Sequence, residues 1–376
     1  MDSFKVLIAP DKFKGTLTAL QAAEAIKKGW IRSRPADKFL ILPVSDGGDG
    51  FGEVMSRLLN CRAVRAKSVN AAHEPCITKY WFNQEKSVAI AESARVIGLA
   101  MLPAGKYHPF ELDTYGLGIV LKKIAEKRPS RVIIGLGGSA TNDGGFGMAL
   151  ALGYKFVSRN GKEIQKWTEL VNLKTILPPE KPLLLNEVIA AVDVKNYLLG
   201  AKGASRIYGP QKGLKPDEIP FAERNLKQLV AVYRRTFGRD PSKTPGSGAA
   251  GGLGYALMAF LNAKVESGFD IFSRFSNLEE KIRDADIVIT GEGSFDRSSL
   301  MGKGVGEIAK LCAKYKKPCI VLAGKTAITP EIKKYFSAIS GMAEACGEKM
   351  ALEKPVESLE KIAAVVAKSF ATSNRL

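Results

Sequence analysis

Phe4-Lys5-Val6-Leu7-Ile8-Ala9-Pro10-Asp11-Lys12-Phe13-Lys14-Gly15-Thr16-Leu17-Thr18-Ala19-Leu20-Gln21 is the stretch that decides the fold. Phe4 to Ala9 is a short apolar run that predicts a strand, and Pro10 to Gly15 breaks it. Thr18 stands three residues before Gln21, the spacing of a capping box, which predicts a helix to about Ser33. Leu20, Ala23, Ile26 and Trp30 recur along it at helical spacing. The outline then repeats: Phe39 to Val44 predicts a strand, Ser45 to Gly50 a glycine-rich turn, Phe51 to Leu59 a helix. Two strand–helix units in succession predict a parallel sheet.

The same grammar returns near the other end. Leu278 and Ile282 mark a helix, Asp286 to Thr290 a strand, Gly304 to Tyr315 a helix and Pro318 to Ala323 a strand. Phe336 to Met342 predicts a further strand, and Val356 to Phe370 a closing helix. The middle has strands at Ser87 to Ala91, Arg131 to Leu136 and Val188 to Val192, with stretches read as irregular at Phe156 to Pro182 and Lys195 to Gly213. The expected fold is α/β: a Rossmann-like parallel-sheet domain, residues 1–67 and 283–376, interrupted by a second α/β domain, residues 68–282. The active site is expected in the cleft between them.

Composition narrows the function. A length of 376 residues suits two domains rather than one, and 45% hydrophobic residues suffice to bury a core. Lys and Arg outnumber Asp and Glu by 56 to 38, a formal charge of +18 that favours anionic small molecules. The basic residues are spread along the chain without interleaved aromatics, which argues against nucleic acid. The five cysteines include no C-x-x-C pair, and His73 and His108 are the only histidines. A zinc site or disulfide framework is therefore not expected, and a cytoplasmic location is. Met1 to Pro10 reads as a strand rather than a signal peptide. No apolar run reaches the roughly 18 residues of a membrane span.

Four glycine-rich loops are candidates for chemistry, because glycine lets a backbone approach an anion closely and strand ends gather ligands. Ser45-Asp46-Gly47-Gly48-Asp49-Gly50 offers Asp46 as a general base or magnesium ligand, or merely as a helix cap. Gly135-Leu136-Gly137-Gly138-Ser139-Ala140-Thr141-Asn142-Asp143-Gly144-Gly145 follows a clear strand and could cradle phosphate or carboxylate. Its opening matches G-x-G-x-x-A, but no acidic residue stands near Val157 to Asn160, which disfavours a dehydrogenase. Pro245 to Gly254 contains G-x-G-x-x-G with no strand before it, so its small residues could equally serve close packing. Gly291-Glu292-Gly293-Ser294-Phe295-Asp296 follows a strand and places two carboxylates four residues apart, with Lys303 beyond. Asp193 ends another strand. No G-x-x-x-x-G-K-[ST] occurs, and protein-kinase signatures are absent.

Taken together and in order, these segments resemble the ATP-dependent glycerate kinase family of bacterial type. The resemblance runs through Ala9-Pro10-Asp11-Lys12-Phe13-Lys14-Gly15-Thr16-Leu17, Pro43 to Gly50, Thr114-Tyr115-Gly116-Leu117-Gly118 and Gly137 to Gly145. It continues through Asp193-Val194-Lys195-Asn196, Leu198-Leu199-Gly200, Gly209-Pro210-Gln211-Lys212-Gly213, Gly248 to Gly254 and Gly291-Glu292-Gly293. Ser68 to Pro75 and Asp296-Arg297-Ser298-Ser299 depart from the family pattern.

The resemblance implies transfer of the γ-phosphoryl group of ATP to D-glycerate with Mg2+, 2-phosphoglycerate being favoured over 3-phosphoglycerate. Phosphoryl transfer needs positioning, a cation clamp and a carboxylate for the hydroxyl proton. Asp46 or Asp193 is expected as base, with Lys14 as a catalytic cation. Lys12, Gly47, Gly48, Gly137, Gly138, Ser139, Asn142, Asp143, Gly291 and Gly293 are expected to bind substrate or nucleotide, and Asp193, Glu292 and Asp296 the metal. Another small-acid or polyol kinase, or a nucleotide-binding protein without activity, are the other classes left open, as is a homo-oligomer.

Overall fold

The computed structural model describes residues 3–45, 47–48, 50–300 and 304–372. The chain begins in one compact unit (residues 1–46), passes through a second (47–268) and returns to complete the first (269–376).

The first unit opens with β1 (Lys5–Ile8), α1 (Ala19–Ser33) and β2 (Lys38–Ile41). The second runs through α2 (Phe51–Leu58), β3 (Arg62–Val69), β4 (Pro75–Asn83), β5 (Val88–Glu92), α3 (Ala94–Ile97) and α4 (Tyr115–Ala125). It continues with β6 (Arg131–Gly135), α5 (Phe146–Ala151), β7 (Lys155–Ser158), β8 (Leu173–Leu177), β9 (Glu187–Val192) and α6 (Ala204–Tyr208). It ends with α7 (Ile219–Phe237), α8 (Ala249–Leu261) and β10 (Lys264–Ser267). The first unit then resumes with α9 (Gly268–Ser276), α10 (Leu278–Asp284), β11 (Ile287–Thr290), β12 (Ser294–Phe295), α11 (Gly304–Lys314), β13 (Cys319–Ala323), β14 (Lys325–Thr326) and α12 (Pro330–Lys333). It closes with β15 (Ala338–Gly341), α13 (Met342–Cys346), α14 (Glu348–Glu353) and α15 (Pro355–Thr372).

The first unit's sheet has the order β15-β13-β11-β1-β2, every neighbouring pair parallel. Counting only these five strands along the chain, that is the doubly wound order 2-1-3-4-5. β11 and β13 are buried throughout, as parallel strands covered on both faces must be. The capping box forms as its spacing predicts: Gln21 N donates to Thr18 Oγ1 at 3.2 Å, and Thr18 N to Gln21 Oε1 at 3.0 Å. Ala22, Ala23, Ile26 and Trp30 are the buried stripe of α1. Gly29 lets α1 lie directly on α15, where a methyl group would overlap the Glu360 carbonyl.

The second unit's sheet has the order β10-β9-β6-β5-β4-β3. Its four strands from β10 to β5 are parallel, and β4 and β3 add an antiparallel edge.

Two expectations need revision. The stretch Phe156 to Pro182 is not irregular: β7 and β8 form an antiparallel ribbon with a 3-10 turn at Trp167–Asn172 between them. Phe156, Ile164, Trp167, Leu170, Leu173 and Ile176 are buried there, at spacings fixed by tertiary packing rather than a single period. Lys195 to Gly213 likewise contains α6. The boundaries also differ from 67/68 and 282/283. α2 belongs to the second unit, because Phe51 packs against Gly135 and Gly52 against the Trp81 ring. α10 belongs to the first, where the buried Leu278 and Ile282 lead into β11.

Candidate active site

In the second unit, β5, β6 and β9 are parallel neighbours, so the loops after Glu92, Gly135 and Val192 share one edge of the sheet. The loop after β6 is pinned to the one after β5. Ser93 N donates to Gly135 O at 3.0 Å, the Ser93 hydroxyl to Gly137 O at 3.2 Å, and Leu99 N to Gly138 O at 2.8 Å. Gly138 is exposed at φ +60°, a bend that suits glycine. Ser139 is 5% exposed, and Thr141, Asn142 and Asp143 are fully buried.

The buried half of this loop is held by its own side chains. Asp143 Oδ2 accepts from Thr114 N at 3.0 Å, the Thr114 hydroxyl at 2.7 Å and Gly147 N at 2.9 Å, while Oδ1 accepts from Gly145 N at 3.2 Å. Thr114 Oγ1 accepts in turn from Met148 N at 2.8 Å. One carboxylate thus ties the starts of α4 and α5 together. Burial pushes its pKa up to about 6, with the Asp113 charge adding to the shift and these donors opposing it. Asn142 Nδ2 donates to Ser205 Oγ at 2.9 Å. Lys212 Nζ donates to Ser139 Oγ at 3.0 Å and to Thr141 O at 2.6 Å. Burial lowers that ammonium to about 7, against the pull of the Asp143 charge.

The loop from Pro245 to Gly254 resolves toward packing. Ala250, Gly251 and Gly252 take consecutive left-handed conformations at φ 52°, 68° and 94°. Gly144 N donates to Gly251 O at 3.0 Å. A methyl on Gly251 would overlap the Thr141 carbonyl, and one on Gly252 would lie 2.7 Å from Gly144 Cα. This loop backs the Gly137–Gly145 loop and lets it bend.

In the first unit, β1 and β11 are neighbours whose helical crossovers, α1 and α11, lead to strands on opposite sides, which makes their carboxyl ends the switch point of the sheet. Ala9 N donates to Ile289 O at 2.7 Å, Asp11 N to Gly291 O at 2.8 Å and the Thr290 hydroxyl to Ala9 O at 2.8 Å. A methyl on Gly293 would come within 2.9 Å of Lys14 N. Lys14 is exposed, and Lys12, Glu292 and Asp296 are half-buried. Ser298 N donates to Asp296 Oδ1 at 2.7 Å, and Asp296 N to Ser299 Oγ at 3.1 Å.

The residues expected to carry chemistry therefore fall into two sets. Lys12, Lys14, Gly291, Glu292, Gly293 and Asp296 gather at the first unit's switch point. Gly137 and Gly138 form the accessible bend of the second unit's loop, Ser139 is buried directly after it, and Asp193 is exposed just beyond β9. Asn142 and Asp143 sit beneath that bend, with the carboxylate of Asp143 engaged by protein donors. Gly47 opens the second unit at φ +104°, 3.1 Å from Gly268 Cα when a methyl is built on it; Gly48 follows it. Asp46 and Lys303 lie outside the described residues. Among the described residues no three His, Cys, Asp or Glu side chains gather as a metal cage. Lys212, Thr114 and Ser205 were not singled out from the sequence. Lys212 and Thr114 lie in the quoted segments Gly209 to Gly213 and Thr114 to Gly118, where nothing local signals their burial.

The sequence model of the glycerate kinase family matches residues 6–371. The chain belongs to the glycerate kinase family. It is 39% identical over 323 residues to the glycerate 2-kinase of Escherichia coli K12, covering 85% of each chain. It is 36% identical over 325 residues to the glycerate kinase of Halalkalibacterium halodurans, again covering 85% of each. Its fold matches the crystal structure of a putative glycerate kinase 2 from Salmonella typhimurium LT2 with a TM-score of 0.85 and 32% identity, over the whole of both chains. As a glycerate kinase family member it is a transferase that moves a phosphoryl group to an alcohol, and a kinase family implies ATP as the source. No helix among the described residues is long and apolar enough to cross a membrane.

Proposed function

We propose that this chain transfers the γ-phosphoryl group of ATP to the 2-hydroxyl of D-glycerate, giving 2-phosphoglycerate. The observation that carries the reading is the placement of the loops. The segments Pro10 to Gly15, Gly137 to Ser139, Asp193 and Gly291 to Asp296 each follow the carboxyl end of a parallel strand in their own unit. The 2-position is supported by the 39% identity to the Escherichia coli glycerate 2-kinase.

The roles divide by chemistry. The bend at Gly137 and Gly138 offers its backbone to an anionic oxygen, and the buried Ser139 lies directly behind it, its hydroxyl proposed to face the same ligand. Gly47 and Gly48 are proposed to contact the same substrates, with Asn142 and Asp143 holding the bend from below. Lys12 and Lys14 leave β1 at the switch point, where a cation would offset charge on the transferring group, and Gly291 and Gly293 let the backbone come close there. Asp46 or Asp193 would accept the proton of the attacking hydroxyl.

Asp193 in the second unit, and Glu292 and Asp296 in the first, are the candidates for holding magnesium, singly or as the pair after β11 rather than as a cage of three. Their carboxylates are the hard oxygen donors that Mg2+ prefers, and it is commonly bound through one or two carboxylates with phosphate and water completing the shell. The ion would supply charge neutralisation on the phosphate oxygens.

Phosphorus NMR of the product made from ATP and D-glycerate tests the reading. Phosphate on the 2-oxygen couples to one proton and gives a doublet. A triplet, from the two protons on carbon 3, would reject the 2-position. No phosphoester from D-glycerate would reject the substrate.

A further inference from the structure

Lys212 is a lysine in the wrong surroundings for a residue that merely packs. It ends a 3-10 turn, Pro210–Lys212, and is 7% exposed. Lysine is almost never buried so far unless paired, because the ammonium loses its water. Among the described residues it makes no ion pair. Two neutral oxygens hold it instead, Ser139 Oγ at 3.0 Å and Thr141 O at 2.6 Å. An unbranched apolar side chain would fill the same space without the desolvation cost. An ammonium carries three N–H donors, and those two bonds use two of them.

A second observation points the same way. Thr141 Oγ1 and Asn142 Oδ1 are buried side-chain oxygens without hydrogen-bond partners. They belong to the two residues next to the Thr141 carbonyl that Lys212 holds. Such orphaned polar atoms are rare in a settled interior, where a water, an ion or a ligand is the usual partner. The turn therefore combines a buried ammonium that feels the Asp143 charge but has no ion-pair partner among the described residues, orphaned oxygens and, beside Ser139, the exposed backbone of Gly138. A positive charge beneath a bend, in a medium that screens poorly, acts on whatever anion sits on that bend.

We propose that Lys212 is a positioning residue: its ammonium fixes the Gly137–Thr141 turn through Ser139 and Thr141 and places a positive charge beneath the surface at which Gly137 and Gly138 meet an anionic oxygen of a substrate. The inference rests on the reading of this bend as part of the substrate site. The oxygen is a carboxylate if glycerate lies there and a phosphoryl oxygen if the nucleotide does. Both are the same ligand chemistry, and kinetics tells them apart.

The test is steady-state kinetics of K212Q and K212R, each checked for its unfolding midpoint. Gln keeps N–H donors and loses the charge; Arg keeps both. K212Q is expected to raise KM about tenfold or more for one substrate, D-glycerate or ATP, while K212R stays within about threefold of the parent. A rise for D-glycerate assigns the carboxylate, and a rise for ATP the phosphate. A merely structural lysine would lower the unfolding midpoint and leave both KM values of the folded enzyme unchanged. That result, or equal effects of Gln and Arg on KM, overturns the proposal. Should either variant fail to fold, K212M decides: its unbranched apolar side chain fills the same space without the charge, and KM values within about twofold of the parent overturn the proposal, whereas a selective rise supports it. Failure of the underlying reading looks different, since the parent itself would then make no phosphoglycerate.

Discussion

The Asp143 carboxylate accepts the Thr114 hydroxyl at 2.7 Å with neither residue exposed to solvent. That contact joins the start of α4 to the loop before α5. It makes the Gly137–Gly145 segment a braced turn rather than a free glycine loop. The carboxylate is stabilised by its donors and penalised by burial, and burial prevails.

A pH dependence follows, with a definite sign. The folded pKa of Asp143 is raised to about 6. Between the ordinary carboxylate range and about pH 6 the folded chain holds a proton that the unfolded chain has released. Stability from this group is therefore present at low pH and lost as pH rises through about 6. Urea unfolding of the parent and D143N between pH 4 and pH 6, below the range where Lys212 titrates, isolates the contribution. The parent should lose stability relative to D143N across that window. Parallel profiles would mean that Asp143 titrates as it would in water.

The turn at Ala250–Gly252 makes opposite predictions for adjacent residues. G251A should destabilise the chain by about 2 kcal/mol or more, because the methyl group meets the Thr141 carbonyl and the φ of 68° is strained for alanine. A250G should stabilise it by about 0.5–1 kcal/mol, since Ala250 already bears that strain at φ 52° and glycine would not. Urea midpoints of the two variants check both signs. Destabilisation by A250G would show that its methyl packing outweighs its backbone strain.

Much of the fold was legible because local signals agreed with the final packing. Thr18 and Gln21 announced the start of α1, and the apolar runs at Phe4 to Ala9, Asp286 to Thr290 and Pro318 to Ala323 fell on β1, β11 and β13. Trp167, Leu170 and Leu173 were not legible as part of a ribbon and its turn. Their burial depends on α7, far along the chain, and no period of 2 or 3.6 runs through them. The site divides in the same way. Gly137, Gly138 and Gly293 were visible because glycine at a strand end states a local backbone need. Lys212 was not, because a lysine between Gln211 and Gly213 looks like any solvated lysine. Only the approach of Ser139 and Thr141, some seventy residues earlier, shows that it is buried. Ala250 was hidden for the converse reason: an alanine ordinarily argues for a right-handed helix, and here the surrounding contacts hold it left-handed.

The two candidate bases are separable by kinetics. D46N and D193N should each fold, since Asp193 is exposed and a carboxamide is nearly isosteric. Loss of the base should lower kcat by about a hundredfold or more with little change in the KM for D-glycerate. One of the two variants is expected to show that pattern. If both keep near-parent turnover with ATP and D-glycerate, neither carboxylate takes the proton.

The metal assignment makes a prediction about concentration rather than rate. Glu292 and Asp296 flank Gly293 and Phe295 after β11, and Asp193 follows β9, so each offers a hard oxygen at a strand end. Replacing a carboxylate that holds Mg2+ by its amide removes a charge and weakens the ion's binding, but an ion also held by ATP is not lost altogether. Those of E292Q, D296N and D193N that remove a metal ligand should therefore recover much of their turnover at high Mg2+ while needing about tenfold more for half-maximal rate at fixed ATP, a recovery that D193N would not show if Asp193 is the base. The KM for D-glycerate, measured at saturating Mg2+, should stay near the parent's for a residue that only holds metal. A variant whose rate falls without any shift in the Mg2+ requirement holds something else. If all three titrate with Mg2+ as the parent does, the ion is held without them and the assignment fails.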